Sequence, residues 1–236
     1  MRSLERLLKS LEDDDTVKQI QAYSDFVSNL YRHHNDLSSY ILTLMLEDEN
    51  IYMIRKAHGL EISGKMQDCL MNELEALQCI ADMTSETVKR NIAYSGFLPE
   101  WDNTRYDFKS EYRDRIENID RFGYGIYAKY YMFIVKESNI VPVKYPDEIK
   151  LSQLIGYQRQ RQMIIDNTLA LLSGKPASNV LLTGDAGTGK SSSVKAIANE
   201  FRGKGLRIIE VRKDQLRDIP VIICLLYTSP SPRDIS

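Results

Sequence analysis

Apolar residues recur three and four positions apart along most of the first 130 residues, the period of helices that bury one face. Thr16 to Tyr31 places Val17, Ile20, Tyr23, Val27 and Leu30 on one stripe, with Asp15 or Thr16 set to cap it. Residues 37–46 carry Leu37, Ile41, Leu44 and Met45 on one side, behind Asn35 and Asp36 as cap candidates. Residues 66–83 align Leu70, Leu74, Leu77, Ile80 and Ala81. A shorter helix is predicted over 85–94, where Val88 and Ile92 lie four apart, and Gly96-Phe97-Leu98-Pro99 ends it. Residues 107–122 read as a charged helix, and 126–136 continue this helical part as a strongly apolar stretch. Residues 140–150, holding Pro142 and Pro146, read as an extended linker.

The pattern changes after residue 150. Residues 157–172 form an amphipathic helical pattern that stops at Ser173-Gly174. Residues 179–183 are a short apolar run, suited to a strand buried on both faces. A glycine-rich loop follows over 184–189. Then comes a helix, Lys190 to Phe201, with Val194, Ile197, Ala198 and Phe201 on its core side and Gly203 and Gly205 closing it. A second strand is predicted over 206–211 and a helix or turn over 214–218. Helix, strand, loop, helix, strand is an α/β order with parallel pairing expected. The predicted organisation is therefore an all-α N-terminal domain (1–140), a linker (141–150) and the opening part of an α/β domain (151–223), cut off after its second strand. No internal repeat of fixed period is present.

Charge follows the same division. Residues 1–150 hold 19 Lys and Arg against 26 Asp and Glu, whereas residues 151–223 hold 11 against 6. A basic module suits an anionic ligand; nucleotide phosphates suffice for that, and nucleic acid is possible but not required. No apolar run approaches the 18 residues of a membrane span, and charges interrupt the first fifteen residues too often for a signal peptide. Cys69, Cys79 and Cys224 match no zinc or redox spacing and read as reduced thiols of a cytoplasmic protein.

Other candidate groups have structural readings. His33-His34 and His58 read as helix-end residues, since histidine is favoured there electrostatically, and Asp13-Asp14-Asp15 reads as a solvated cap. Seven of the 14 tyrosines lie between Tyr94 and Tyr131, together with Trp101, Phe97, Phe108, Phe122 and Phe133. Arg105, Arg113, Arg115, Arg121 and Lys129 are interleaved, an arrangement that can stack on single-stranded nucleic acid. The acids among them (Asp107, Glu111, Asp114, Glu117 and Asp120) favour aromatic packing between helices instead. Gly123-Tyr124-Gly125 reads as a hinge or tight turn.

One segment carries chemistry. Gly184-Asp185-Ala186-Gly187-Thr188-Gly189-Lys190-Ser191 fits the phosphate-binding pattern G-x-x-x-x-G-K-[ST] in full. The glycines let the backbone turn and approach a ligand, successive amides form an anion nest, and the following helix adds its positive end. Lys190 reaches β and γ phosphates, Ser191 offers a hydroxyl to Mg²⁺, and Ser192 adds a contact to the α phosphate. The bare pattern arises by chance in a chain this long on the order of one time in a hundred. The expected ligands are thus ATP and Mg²⁺.

The longer run narrows the branch. Ile155-Gly156-Tyr157-Gln158-Arg159, Asn167-Thr168, the stretch from Gly174 to Leu182, the loop itself, Val194-Lys195 and the stretch from Leu206 to Val211 resemble one bacterial family. That family is domain of unknown function 815, a group of predicted AAA+ ATPases, and the motif-bearing resemblance covers about residues 150–223. The resemblance implies a P-loop NTPase fold of AAA+ type, with Ile155 and Gly156 lining the adenine pocket and Lys190 and Ser191 serving phosphate and metal. It also implies ATP hydrolysis coupled to conformational work on a protein partner that the sequence does not identify, and a homo-oligomer. Hydrolysis in this class needs an acidic Walker B strand and sensor residues, and no apolar strand ending in Asp-Asp or Asp-Glu follows the loop. Asp214 and Asp218 fall in a helix or turn and do not substitute, so this chain is expected to bind ATP without turning it over. Residues 224–234, CLLYTSPSPRD, resemble one reading frame of a transposon-type sequencing adapter. Residues 224–236 are therefore expected to be an adapter-derived artefact on a longer natural chain. Two alternatives stay open: a P-loop small-molecule or nucleotide kinase, and a non-catalytic nucleotide-dependent interaction protein.

Overall fold

The computed structural model describes residues 2–228, with residues 224–228 as backbone only. Its helices run in the order α1 (Arg2–Ser10), α2 (Thr16–Tyr31), α3 (Leu37–Glu47), α4 (Ile51–Ala57), α5 (Gly64–Ala81), α6 (Ser85–Lys89), α7 (Phe108–Glu117), α8 (Ile119–Phe122) and α9 (Ile126–Lys129). A hairpin of β1 (Met132–Lys136) and β2 (Asn139–Pro142) follows, then α10 (Gln158–Leu172), α11 (Lys190–Phe201), β3 (Ile208–Glu210) and α12 (Ile219–Thr228). The chain divides into two compact units: residues 1–48 with 61–117, and residues 49–60 with the chain from Asn118 on.

The first unit is helical. Asp15 caps α2, its carboxylate accepting from the Val17 and Lys18 amides at 3.0 and 3.3 Å. The buried stripe of α2 (Tyr23, Phe26, Val27 and Leu30) joins Leu37 and Ile41 of α3, Leu74 of α5 and Phe108 and Tyr112 of α7 in one apolar interior. Trp101 is seated in this interior, its ring 5.6 Å from Tyr23 and edge-on to Phe26 at 5.2 Å. The Trp101 indole N–H donates to the Met83 carbonyl at 3.0 Å, so its one polar atom is satisfied. Asp36 ties the start of α3 to the 102–104 segment. Its carboxylate accepts from the Ser39 amide at 2.8 Å and from the Thr104 amide and hydroxyl at 2.7 and 2.6 Å. Burial pushes the Asp36 carboxyl up, and these hydrogen bonds outweigh it, holding the group below its ordinary value.

The second unit holds a three-stranded sheet of order β2-β1-β3. β1 pairs antiparallel with β2 and parallel with β3, Met132 opposite Ile208 and Ile134 opposite Glu210. α11 buries Ile197 and Phe201 beside Leu206, and Ile164, Leu169 and Leu172 of α10 pack against them. Arg207 joins this core to the preceding helices, donating from Nε to the Tyr127 carbonyl at 2.7 Å and from Nη2 to that of Phe122 at 2.8 Å. Gln215 is buried against the sheet and satisfied there, its amide N–H donating to the Val135 carbonyl at 2.9 Å.

Several expectations change. The all-α domain over 1–140 is not observed, because β1 and the start of β2 lie inside it. The hairpin turns through Glu137 and Ser138, both at positive φ (50° and 57°), without the Asn-Gly type of signature that would announce it. The linker over 141–150 begins inside β2, and its later part is fastened to α11. Asn199 donates to the Asp147 and Ile149 carbonyls, both at 2.8 Å, and accepts from the Tyr131 hydroxyl at 2.8 Å. The Lys195 ammonium meets the Asp147 carboxylate at 2.6 Å, and that bond holds its pKa above the usual lysine value.

The predicted strand over 179–183 does not form, and Leu181 is 86% exposed. An apolar run becomes a strand only where a neighbouring strand takes its hydrogen bonds. β2 and β3 occupy both edges of β1, so the expected second strand pairs with β1 rather than with 179–183. α12 runs on through residues 224–228 of the expected artefact, and residues 229–236 lie outside the described residues.

Elsewhere the pattern holds closely. α2, α10 and α11 fall where the periodicity puts them, within one residue at each end. The helix predicted over 85–94 stops at Lys89, that over 107–122 breaks at Asn118, and α4 was not foreseen. The clustered aromatics are largely structural: Trp101, Phe108, Tyr112, Tyr124, Tyr127 and Phe133 are buried. The glycine pair forms a turn, since Gly125 has φ 56° and a Cβ there would stand 2.6 Å from the Glu49 carboxylate.

Candidate nucleotide-binding site

The loop from Gly184 to Gly189 leads directly into α11, whose first residue is Lys190. Gly187 and Gly189 both sit at φ 81°, a left-handed conformation that a side chain disfavours. Gly189 is the N-cap of α11, and its carbonyl takes both the Ser193 amide at 2.8 Å and the Ser193 hydroxyl at 2.9 Å. The first amides of any α-helix lack carbonyl partners within it and carry the positive end of its dipole. The loop therefore delivers its chain to an anion-attracting position.

Lys190 folds back across the loop. Its ammonium donates to the Gly184 carbonyl at 2.9 Å, the Asp185 carbonyl at 2.6 Å and the Thr188 hydroxyl at 3.3 Å. Thr188 in turn donates to the Asp185 carbonyl at 2.9 Å. An ammonium has three donors, and all three are held by the loop itself. The charge is thus pre-positioned over the loop, where a phosphate oxygen competes with neutral carbonyls for it and gains a charge-assisted bond.

A cleft of about 320 Å³ opens beside the loop. Residues 181–185, Thr188, Lys190 and Ser193 form one wall, and Tyr157, Gln160, Arg161 and Ile164 form the other. Gln160, Arg161 and Ile164 share one face of α10 at three- and four-residue spacing, a direction readable in the sequence, and Tyr157 precedes the helix as its N-cap. Arg161 is committed to structure: its Nη1 donates to the Leu154 carbonyl and, at 3.4 Å, to that of Leu151. Tyr157 has φ 52°, unusual for a residue with a side chain, and such backbone strain clusters at functional positions.

The expected site residues divide. Gly184, Asp185, Thr188 and Lys190 are brought together at the cleft. Ala186, Gly187 and Gly189 form the turn behind them, and Ser191 and Ser192 stand on the first turn of α11, Ser191 exposed. Ile155 and Gly156 are not among the residues that line the cleft, and Ile155 is 97% exposed; Tyr157, next in the chain, does line it. For Mg²⁺, the exposed Ser191 hydroxyl is the kind of single protein oxygen that suits an ion drawing its other ligands from phosphates and water.

No curated protein and no solved structure matches the chain. Residues 127–233 match the family described as protein of unknown function, DUF815. The match begins in α9, ahead of β1, so it takes in the whole hairpin as well as the phosphate loop, and it ends beyond α12.

Proposed function

From the premise that the chain belongs to the DUF815 family through residues 127–233, we propose that it binds ATP as its Mg²⁺ complex at residues 184–192. The observation that carries this reading is the Lys190 ammonium, held by loop oxygens at the head of α11 beside an open cleft. The glycine-rich turn, the helix end and the cation lie together beside the cleft, an arrangement that suits a polyphosphate. The base lies along the α10 face at Tyr157 and Ile164, and Ser191 supplies a hydroxyl to the metal. In this reading the second unit carries an α/β P-loop fold of AAA+ type.

The whole protein, by the same reading, is a cytoplasmic ATPase that works as a homo-oligomer and turns hydrolysis into motion applied to a partner. No helix among the described residues is long and apolar enough to cross a membrane. Turnover is assigned to acidic residues other than Asp214 and Asp218, which lie in the turn Lys213–Asp218 rather than at a strand end. Competition against a fluorescent ATP analogue tests the binding claim. ATP and ADP should displace it with AMP at least tenfold weaker, since the loop recognises phosphates. Equal displacement by adenosine and ATP would overturn the assignment.

A further inference from the structure

A second cleft lies in the first unit, far along the chain from the phosphate loop. It measures about 400 Å³ and is framed by α1, α2 and α3, a size within the ordinary range for small-molecule sites. Its floor is apolar: Phe26, Leu30 and Ile41 contribute to it, and each is buried. Its rim is polar and cationic, with Arg2 and Arg6 of α1 exposed on one side and His33 on the other. His33 stacks on Tyr40 at 5.4 Å with ring planes 12° apart, which gives the cleft a flat wall.

The charge of this cleft runs against its surroundings. The first unit holds 12 Lys and Arg against 21 Asp and Glu. Among the described residues no carboxylate lines the cleft, however, and Glu5, which also feels the charge of Arg6, is bonded to Lys9 at 2.6 Å. Two guanidiniums over an apolar floor select one ligand chemistry. A guanidinium binds a carboxylate through paired N–H donors, and an apolar tail leaves water by lying against the floor.

We propose that the cleft framed by α1, α2 and α3 binds a small carboxylate with an apolar tail. The head rests on Arg2 and Arg6, and the tail lies over Phe26, Leu30 and Ile41. The site is separate from the nucleotide reading and does not depend on it.

Trp101 makes the test direct. It is the only tryptophan, and its ring is edge-on to Phe26, which lines the cleft. Decanoate titrated into the full chain should change Trp101 fluorescence saturably, and 3-phenylpropionate should compete with it. Decanol, which lacks the charge, and acetate, which lacks the tail, should each bind at least tenfold more weakly. R2A/R6A should weaken decanoate at least tenfold with an unchanged circular dichroism spectrum, R6Q should do so in part, and Lys190→Ala should have no effect. Decanol binding as tightly as decanoate, undiminished binding in R2A/R6A and R6Q, or a response that does not saturate would each overturn the proposal.

Discussion

At the scale of single residues, the two positions that matter most are Asp36 and Lys190. Asp36 accepts three hydrogen bonds, one from the first turn of α3 and two from Thr104. Loss of a cap costs about 1 kcal/mol and each further hydrogen bond a similar amount. Asp36→Ala should therefore lower stability by about 2–3 kcal/mol, read from the denaturant midpoint. The sign with pH follows from the depressed carboxyl. Stability from Asp36 is present above the unfolded-state carboxyl value and is lost as pH falls through the lower folded value. The wild type should thus lose stability on acidification more steeply than Asp36→Ala, and parallel acid profiles would contradict it. The sequence exposed Asp36 as a cap, because its place before an apolar stripe follows from local rules. It did not expose Thr104 as the second partner, since that bond spans residues distant in the chain.

At the scale of elements, the helices with a clear 3.6 period and the strand over 206–211, seen as β3, were legible, and the hairpin of β1 and β2 was not. β1 reads as a continuation of the helical pattern because Met132, Phe133, Ile134 and Val135 are apolar whichever way they fold. Its turn carries Glu137 and Ser138 in left-handed conformations that each cost about 1–2 kcal/mol for a residue with a side chain. Replacing both (Glu137→Asn with Ser138→Gly) should raise stability by up to about 1 kcal/mol, measured by thermal unfolding, since these residues suit the turn. The core that seats α11 is held more strongly. Phe201→Ala should cost about 3–5 kcal/mol and speed hydrogen exchange along α11. Asn199→Ala removes two of the bonds that fasten residues 147–149 to α11, leaving the Lys195–Asp147 pair, and should make that segment more open to limited proteolysis. An unchanged cleavage pattern would show that the fastening is immaterial.

At the scale of the whole molecule, the acidic-to-basic change along the chain anticipated two modules and misplaced their boundary. The second unit takes in Asn118 onward, and the family match likewise begins at residue 127, before the hairpin rather than after it. The cause is the parallel pairing of β1 with β3, a contact between residues 132–134 and 208–210 that no local pattern encodes. The glycine-rich loop could be read because it is one contiguous stretch, whereas the α10 wall of the cleft needed the fold to bring it alongside. ATP binding at that loop is the claim from which the functional account proceeds. Calorimetric titration of the chain with Mg-ATP, beside Lys190→Ala, tests it most directly. One saturable site per chain is expected, lost in the variant while helical content stays the same. No binding heat from the wild type across the millimolar range, or undiminished binding in Lys190→Ala, would contradict it.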